Sequence, residues 1–184
     1  MKENYFIIHG SFSSPHSNWF EWLSNYLRDN NKEVYVPDFP IGVGMQNFTN
    51  WSKLLKVYVD LGLINENTTI IGHSIAPVFI SKFLVTNNIK VKKLIFVCGF
   101  NNYFGINADY DNVNGSMYFD DLEKTKNFAN DVICFYSDND PYVKFDVEKE
   151  FAERISTKQI LMPGAGHINA ESGFTKFEEI TKYL

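Results

Sequence analysis

The sequence predicts an α/β fold, doubly wound around a mainly parallel sheet of six strands. Two observations carry that prediction. Six short apolar runs rich in β-branched and aromatic residues recur along the chain, and longer amphipathic stretches of helical length separate them. A strand that reads as one continuous apolar run is buried on both faces, as the strands of parallel sheets are. Parallel neighbours need crossovers, and right-handed crossovers place helices on both sides of the sheet.

In chain order, the strand Tyr5–Ile8 leads to a helix over Asn18–Asp29, and the strand Glu33–Val36 to a helix over Phe48–Leu61. The strand Thr68–Ile71 is followed by a helix over Ile75–Thr86, whose first turn tolerates Pro77 because that N–H would have no partner there. Next come the strand Lys93–Cys98 and a helix over Asp121–Phe128, then Val132–Tyr136 and a helix over Val147–Arg154. The strand Lys158–Leu161 and a final helix over Gly173–Leu184 complete the alternation. One stretch, Asn101–Met117, has neither period and is rich in Asn, Gly, Asp and Tyr. A loop this long, at the carboxyl edge of a sheet where ligands bind, reads as a short cap over a site at residues 101–120.

With 184 residues the chain is expected to form one domain, 1–184, with a sizeable core. A net charge of −5 with both signs interspersed gives no basic footprint for nucleic acid or an anionic membrane. The apolar run near the N-terminus is too short for a signal peptide, so the expected compartment is cytoplasmic, and the Asn-x-Ser/Thr sequons at Asn47, Asn50, Asn67 and Asn114 carry no weight. Cys98 and Cys134 fall inside predicted strands and read as buried hydrophobes. The four histidines are scattered without ligand spacing, so no metal is expected. The Gly42-Val43-Gly44 and Gly164-Ala165-Gly166 strings lack the context of a dinucleotide loop, and no other cofactor is expected.

The chemistry is carried by Gly72-His73-Ser74-Ile75-Ala76, directly after a strand. It reads as a serine on a sharp strand-to-helix turn, the G-x-S-x-G elbow with Ala76 in place of the last glycine. A serine hydroxyl needs a base, and the base needs an orienting group. In the order that accompanies this elbow the acid comes next and the histidine last, each at the end of a strand. Ser137-Asp138-Asn139-Asp140-Pro141 follows the fifth strand, and Gly164-Ala165-Gly166-His167 the sixth. His167 alone of the histidines lies late enough to be the base; His9 and His73 read as backbone-positioning groups, and His16 sits in a Ser-rich loop. Asp138 and Asp140 are both candidate acids, and Asp140 is preferred because Pro141 stiffens the turn that holds it. Oxyanion donors follow from the same template: the backbone N–H of Ile75 at the helix start, and that of Ser11 in the loop after the first strand. Trp19, Phe20 and Trp22 read as core, with Trp19 near enough to the Ser11 loop to be a pocket candidate.

The chain resembles the small serine hydrolases of the α/β-hydrolase superfamily that include the YdeN-type bacterial proteins and retinoblastoma-binding protein nine. The likeness rests on Ile7-Ile8-His9-Gly10, Asn18-Trp19-Phe20-Glu21-Trp22-Leu23, Thr69-Ile70-Ile71-Gly72-His73-Ser74, Gly115-Ser116, Ser137-Asp138-Asn139-Asp140-Pro141 and Gly166-His167. It implies strands in the order 2-1-3-4-5-6, a minimal cap, and the second aspartate of the acid motif, Asp140, as the catalytic one. Asn139 stands where that family carries its first aspartate. The expected function is a serine hydrolase with Ser74, His167 and Asp140 as its triad, acting through an acyl-enzyme on a small ester, thioester or amide. The alternatives are a binding module with little catalysis, or triad-based lyase or acyl-transfer chemistry. The expected partner is a small acyl substrate, and the cap and aromatic content point to an apolar pocket.

Overall fold

The computed structural model describes residues 3–184. It contains a sheet of six strands: β1 (Asn4–Ile8), β2 (Glu33–Tyr35), β3 (Thr68–His73), β4 (Val91–Val97), β5 (Ala129–Ser137) and β6 (Lys158–Met162). Every pairing is parallel, and the order across the sheet is β2-β1-β3-β4-β5-β6. Five helices connect them: α1 (Phe20–Asp29), α2 (Phe48–Asp60), α3 (Ala76–Asn87), α4 (Ala108–Asn114) and α5 (Phe145–Ile155).

Because strand side chains alternate between faces, each central strand feeds two separate cores. Phe6, Leu94, Phe96, Val132 and Cys134 pack with residues of α2, α3 and α5 on one face. Tyr5, Ile7, Ile95, Val97, Ile133 and Phe135 pack on the other face with α1 and the C-terminal segment. The helices show their faces in the sequence: α1 buries Phe20, Leu23, Ser24 and Leu27, an i, i+3, i+4, i+7 stripe. Helix α3 is apolar nearly all round and lies buried beneath its neighbours.

Two predicted α-helices are instead 3₁₀-helices, Leu122–Asn127 and Glu178–Tyr183. The reason lies in their period. Leu122 and Thr125 are buried and Phe128 packs against the core; Phe177 and Ile180 are buried and Tyr183 packs beside them. A spacing of three puts these groups on one line of a helix with three residues per turn, whereas an α-helix would rotate the third away. Before the second of these, Gly173 at φ +92° ends the short 3₁₀ turn Ala170–Ser172 and blocks a continuous helix from Gly173.

The 101–120 segment is folded rather than featureless. Asn101 ties its two ends by exchanging hydrogen bonds with the Phe119 backbone, at 2.8 and 3.0 Å. Inside it, the Asn107 side chain caps α4 by accepting from the Asp109 and Tyr110 amides.

Candidate active site

The carboxyl ends of β3, β5 and β6 converge. At the end of β3, Ser74 takes φ +64°, a left-handed conformation that only a well-determined turn imposes on a non-glycine residue. Its amide donates to the Val97 carbonyl at 2.9 Å, which anchors the turn to β4. The close return of the chain explains Gly72: a Cβ there would lie 2.7 Å from Ile80 Cδ1 and 3.2 Å from the Pro77 nitrogen. Ala76 fits as the first residue of α3, buried, so the departure from glycine is sterically tolerated.

The histidine loop then meets this serine. His167 Nε2 lies 3.0 Å from Ser74 Oγ, and its Nδ1 is hydrogen-bonded to Asp140 Oδ2. Asp140 Oδ1 accepts from the Tyr142 and Val143 amides at 2.7 and 3.1 Å, so both carboxylate oxygens are held. Burial raises the Asp140 carboxyl, but the hydrogen bond and charge of His167 outweigh it and bring the value down to about 2. Asp140 is therefore an anion at any working pH. Asp138 does something else: its Oδ1 accepts from the Gly164 amide at 2.7 Å, while Asn139 Oδ1 accepts from Gly166 at 2.7 Å. The two residues staple the acid loop to the histidine loop.

Further ties hold His167 from behind. His73 Nε2–H donates to the His167 carbonyl at 2.9 Å, and burial foremost pulls the His73 ring down to about 3, so it remains neutral. Trp19 Nε1–H donates to the Ile168 carbonyl at 2.9 Å. Trp19 is fully buried and packs on Phe20, His73 and Phe177, so it is core and not pocket wall. His9 acts on the opposite side. It accepts from the Phe39 amide at Nε2, 3.0 Å, which leaves Nδ1–H to donate to the Gly10 carbonyl at 2.9 Å.

The loop after β1 comes close to the serine because residue 10 is glycine; a Cβ there would sit 2.8 Å from Ser74 Cβ. Ser11 follows, lining the same cavity as Ser74. Among the described residues neither the Ser11 nor the Ile75 amide hydrogen has a protein acceptor. Two residues with no signal in the sequence hold Ser11. Its Oγ donates to Asn114 Oδ1 at 2.6 Å and accepts from Gln46 Nε2 at 2.9 Å, and Gln46 Oε1 accepts from the Phe12 amide at 3.1 Å. Both amide side chains are buried.

The cavity over Ser74 has a volume of about 210 Å³. Its wall is mainly polar: Ser13, Ser17, Asn18, Asn169, Tyr110 and Tyr142 outnumber Phe12, Ile106 and Val143. This corrects the apolar pocket expected from the aromatic content, because most of the large aromatics are spent in the two cores. Ile106 and Tyr110 come from the 101–120 segment, which thus overhangs the serine. Tyr142 lies edge-on to His167 with ring centroids 5.1 Å apart, and its hydroxyl is hydrogen-bonded to the Glu171 carboxylate. Among the described residues Glu171 is the one carboxylate in that wall, which holds no lysine or arginine.

A parallel sheet in this order, with a serine elbow after β3 meeting a histidine after β6 and an aspartate after β5, defines an α/β hydrolase fold. Comparison with known proteins narrows the class. The chain matches the serine hydrolase family over residues 5–184 and belongs to it. No curated protein matches its sequence. Among solved structures it is similar to the ydeN gene product of B. subtilis, 22% identical, with a TM-score of 0.85 over 98% of this chain and 96% of that one. It is also similar to Est1E from Butyrivibrio proteoclasticus, whose structure holds ferulic acid (14% identical, TM-score 0.71, 98% and 89% covered). A third is an esterase from Exiguobacterium antarcticum (15% identical, TM-score 0.68, 99% and 92% covered). The protein is thus an enzyme of the serine hydrolase class. Among the described residues no helix is long and apolar enough to cross a membrane.

Proposed function

We propose that the protein hydrolyses small esters through an acyl-enzyme, with Ser74 as nucleophile, His167 as base and Asp140 as the group that fixes the imidazole. The observation that carries this is the unbroken hydrogen-bonded series from Ser74 Oγ through both ring nitrogens of His167 to a buried carboxylate. As Ser74 Oγ attacks the substrate carbonyl carbon, His167 Nε2 takes its proton, and the imidazolium is stabilised by the Asp140 anion. The carbonyl oxygen becomes an oxyanion facing the Ile75 and Ser11 amides, at the positive end of α3. His167 then returns the proton to the departing alkoxide. Water repeats the sequence on the acyl-enzyme and frees the acid, leaving Ser74 protonated.

The wall sets the substrate class. A cavity of about 210 Å³ suits a short acyl group, and serine, asparagine and tyrosine side chains favour one that carries hydrogen-bonding groups. With Glu171 at the mouth and no lysine or arginine in the wall, a neutral or cationic substrate is favoured over an anionic one. The test is a panel of aryl esters with acetyl, butanoyl, aminoacetyl and succinyl groups, each run with wild type and Ser74→Ala. Turnover that depends on Ser74 and is weakest for the anionic succinyl ester is expected. Equal turnover by Ser74→Ala, or a preference for the succinyl ester, overturns the reading.

A further inference from the structure

Helix α5 buries Glu148, Phe151, Ala152 and Ile155, an i, i+3, i+4, i+7 stripe in which one position is a carboxylic acid. Glu148 is wholly buried, where an unpaired charge is costly. Its Oε2 accepts from the Ser137 amide at 3.0 Å. Its Oε1 is buried and meets no donor among the described residues. Polar atoms of Glu148, Asp140, Cys98 and His167 all lie within 4.8 Å of one another, which places the Glu148 carboxyl, with its unpartnered Oε1, beside the Asp140 carboxylate. Two carboxylate anions this close in a buried site repel each other, and a proton on one of them removes the repulsion and supplies a donor to the other.

We propose that Glu148 is a positioning residue of the active site: a neutral carboxyl whose O–H donates to Asp140 and holds that anion against His167 Nδ1. The assignment of the proton follows from the surroundings. Asp140 already accepts from two amides and from His167, all of which favour its anion. Among the described residues Glu148 has a single amide donor and forms no ion pair with a lysine or arginine; burial first, then Asp140 itself, pushes its carboxyl up to about 10. The titratable groups that face it are Cys98 at the end of β4, Asp140 in the β5–α5 loop and His167 beyond. Burial keeps the Cys98 thiol protonated as well. In catalysis the donated bond spreads the Asp140 charge, so the proton taken from Ser74 stays on the imidazole.

The proposal deepens the hydrolase reading, and its kinetic arm rests on it. Glu148→Gln keeps both functions, an N–H toward Asp140 and a C=O for the Ser137 amide; Glu148→Leu keeps neither. The expected result is that Glu148→Gln stays within about twofold of wild-type kcat, while Glu148→Leu loses about tenfold or more at unchanged KM. Without the donor, Asp140 bears its full charge toward His167, so the acidic limb of the pH–rate profile of Glu148→Leu moves upward. A folded Glu148→Leu with wild-type kcat and an unmoved limb, or a Glu148→Gln that falls as far as Glu148→Leu, overturns the proposal. A second measurement needs neither variant nor turnover: the carboxyl carbon resonance of Glu148 in the wild-type protein. A protonated carboxyl at pH 7 is expected, and an ionised one refutes the proposal. An inactive enzyme that still shows the protonated Glu148 would sink the hydrolase reading and leave this one standing.

Discussion

The loops after β5 and β6 and the 101–120 segment all overhang Ser74, but they are held in opposite ways. The acid and histidine loops are bound to each other and to the core: Asp138 and Asn139 hold the Gly164 and Gly166 amides, His73 and Trp19 hold the carbonyls of residues 167 and 168, and the Asp140 side chain is fully buried. Among the described residues the first half of the 101–120 segment is hydrogen-bonded only within the segment, through Asn101, Asn107 and Asp111, with Phe104 59% exposed. Its second half alone reaches the rest of the molecule by hydrogen bonds, through Asn114 to Ser11 and from Lys82 to the Ser116 and Tyr118 carbonyls. Groups that must keep their geometry within a fraction of an ångström sit where many bonds determine it. The part that shapes the substrate space sits where local opening costs little.

Three changes probe that contrast. The largest effect is expected from Asp140→Asn, which preserves shape but supplies an amide N–H where His167 Nδ1–H must donate. It should lower kcat by about ten-thousandfold with little change in KM, read from ester hydrolysis at saturating substrate.

The second reads the buried acid pair through stability. Glu148 has a folded-state carboxyl value raised from 4.5 to about 10, so its contribution is full below the unfolded value and drains away as pH climbs between the two. Asp140 is the reverse: its value is depressed to about 2, so its contribution is present above the ordinary carboxylate range and is lost as pH falls through it. Glu148→Gln, which cannot titrate, should therefore gain in Tm over wild type at pH 9 relative to their difference at pH 5. A constant difference across that range would show that Glu148 does not change its protonation on unfolding.

The smallest effect belongs to the other region. Asn107→Ala removes the cap of α4, a loss of about 1 kcal/mol. It should speed hydrogen exchange of the α4 amides about fivefold, with kcat and Tm unchanged. A drop in Tm would show that the segment is part of the cooperative core.

Much of this contrast was visible in the residues. The six strands were readable because continuous apolar runs leave few alternatives to a buried strand, and the Ser74, Asp140 and His167 positions because each follows such a run. The two 3₁₀-helices read as α-helices in the sequence because their polar residues mask a period of three, although Leu122/Thr125/Phe128 and Phe177/Ile180/Tyr183 display it. Glu148 did leave a signal, an acid on the apolar stripe of a helix directly after the acid motif, yet a lone glutamate in an amphipathic segment ordinarily faces solvent. Gln46 and Asn114 left none: they lie 68 residues apart and meet only through the fold. The polar cavity wall was hidden for the same reason, since it is assembled from loops at both ends of the chain.

The most direct test of the central claim is labelling with a fluorophosphonate, followed by peptide mapping. A single modified residue, Ser74, is expected, with labelling abolished in Ser74→Ala and strongly slowed in Asp140→Asn. A folded wild-type protein that resists the probe, or a label that persists in Ser74→Ala, would contradict it.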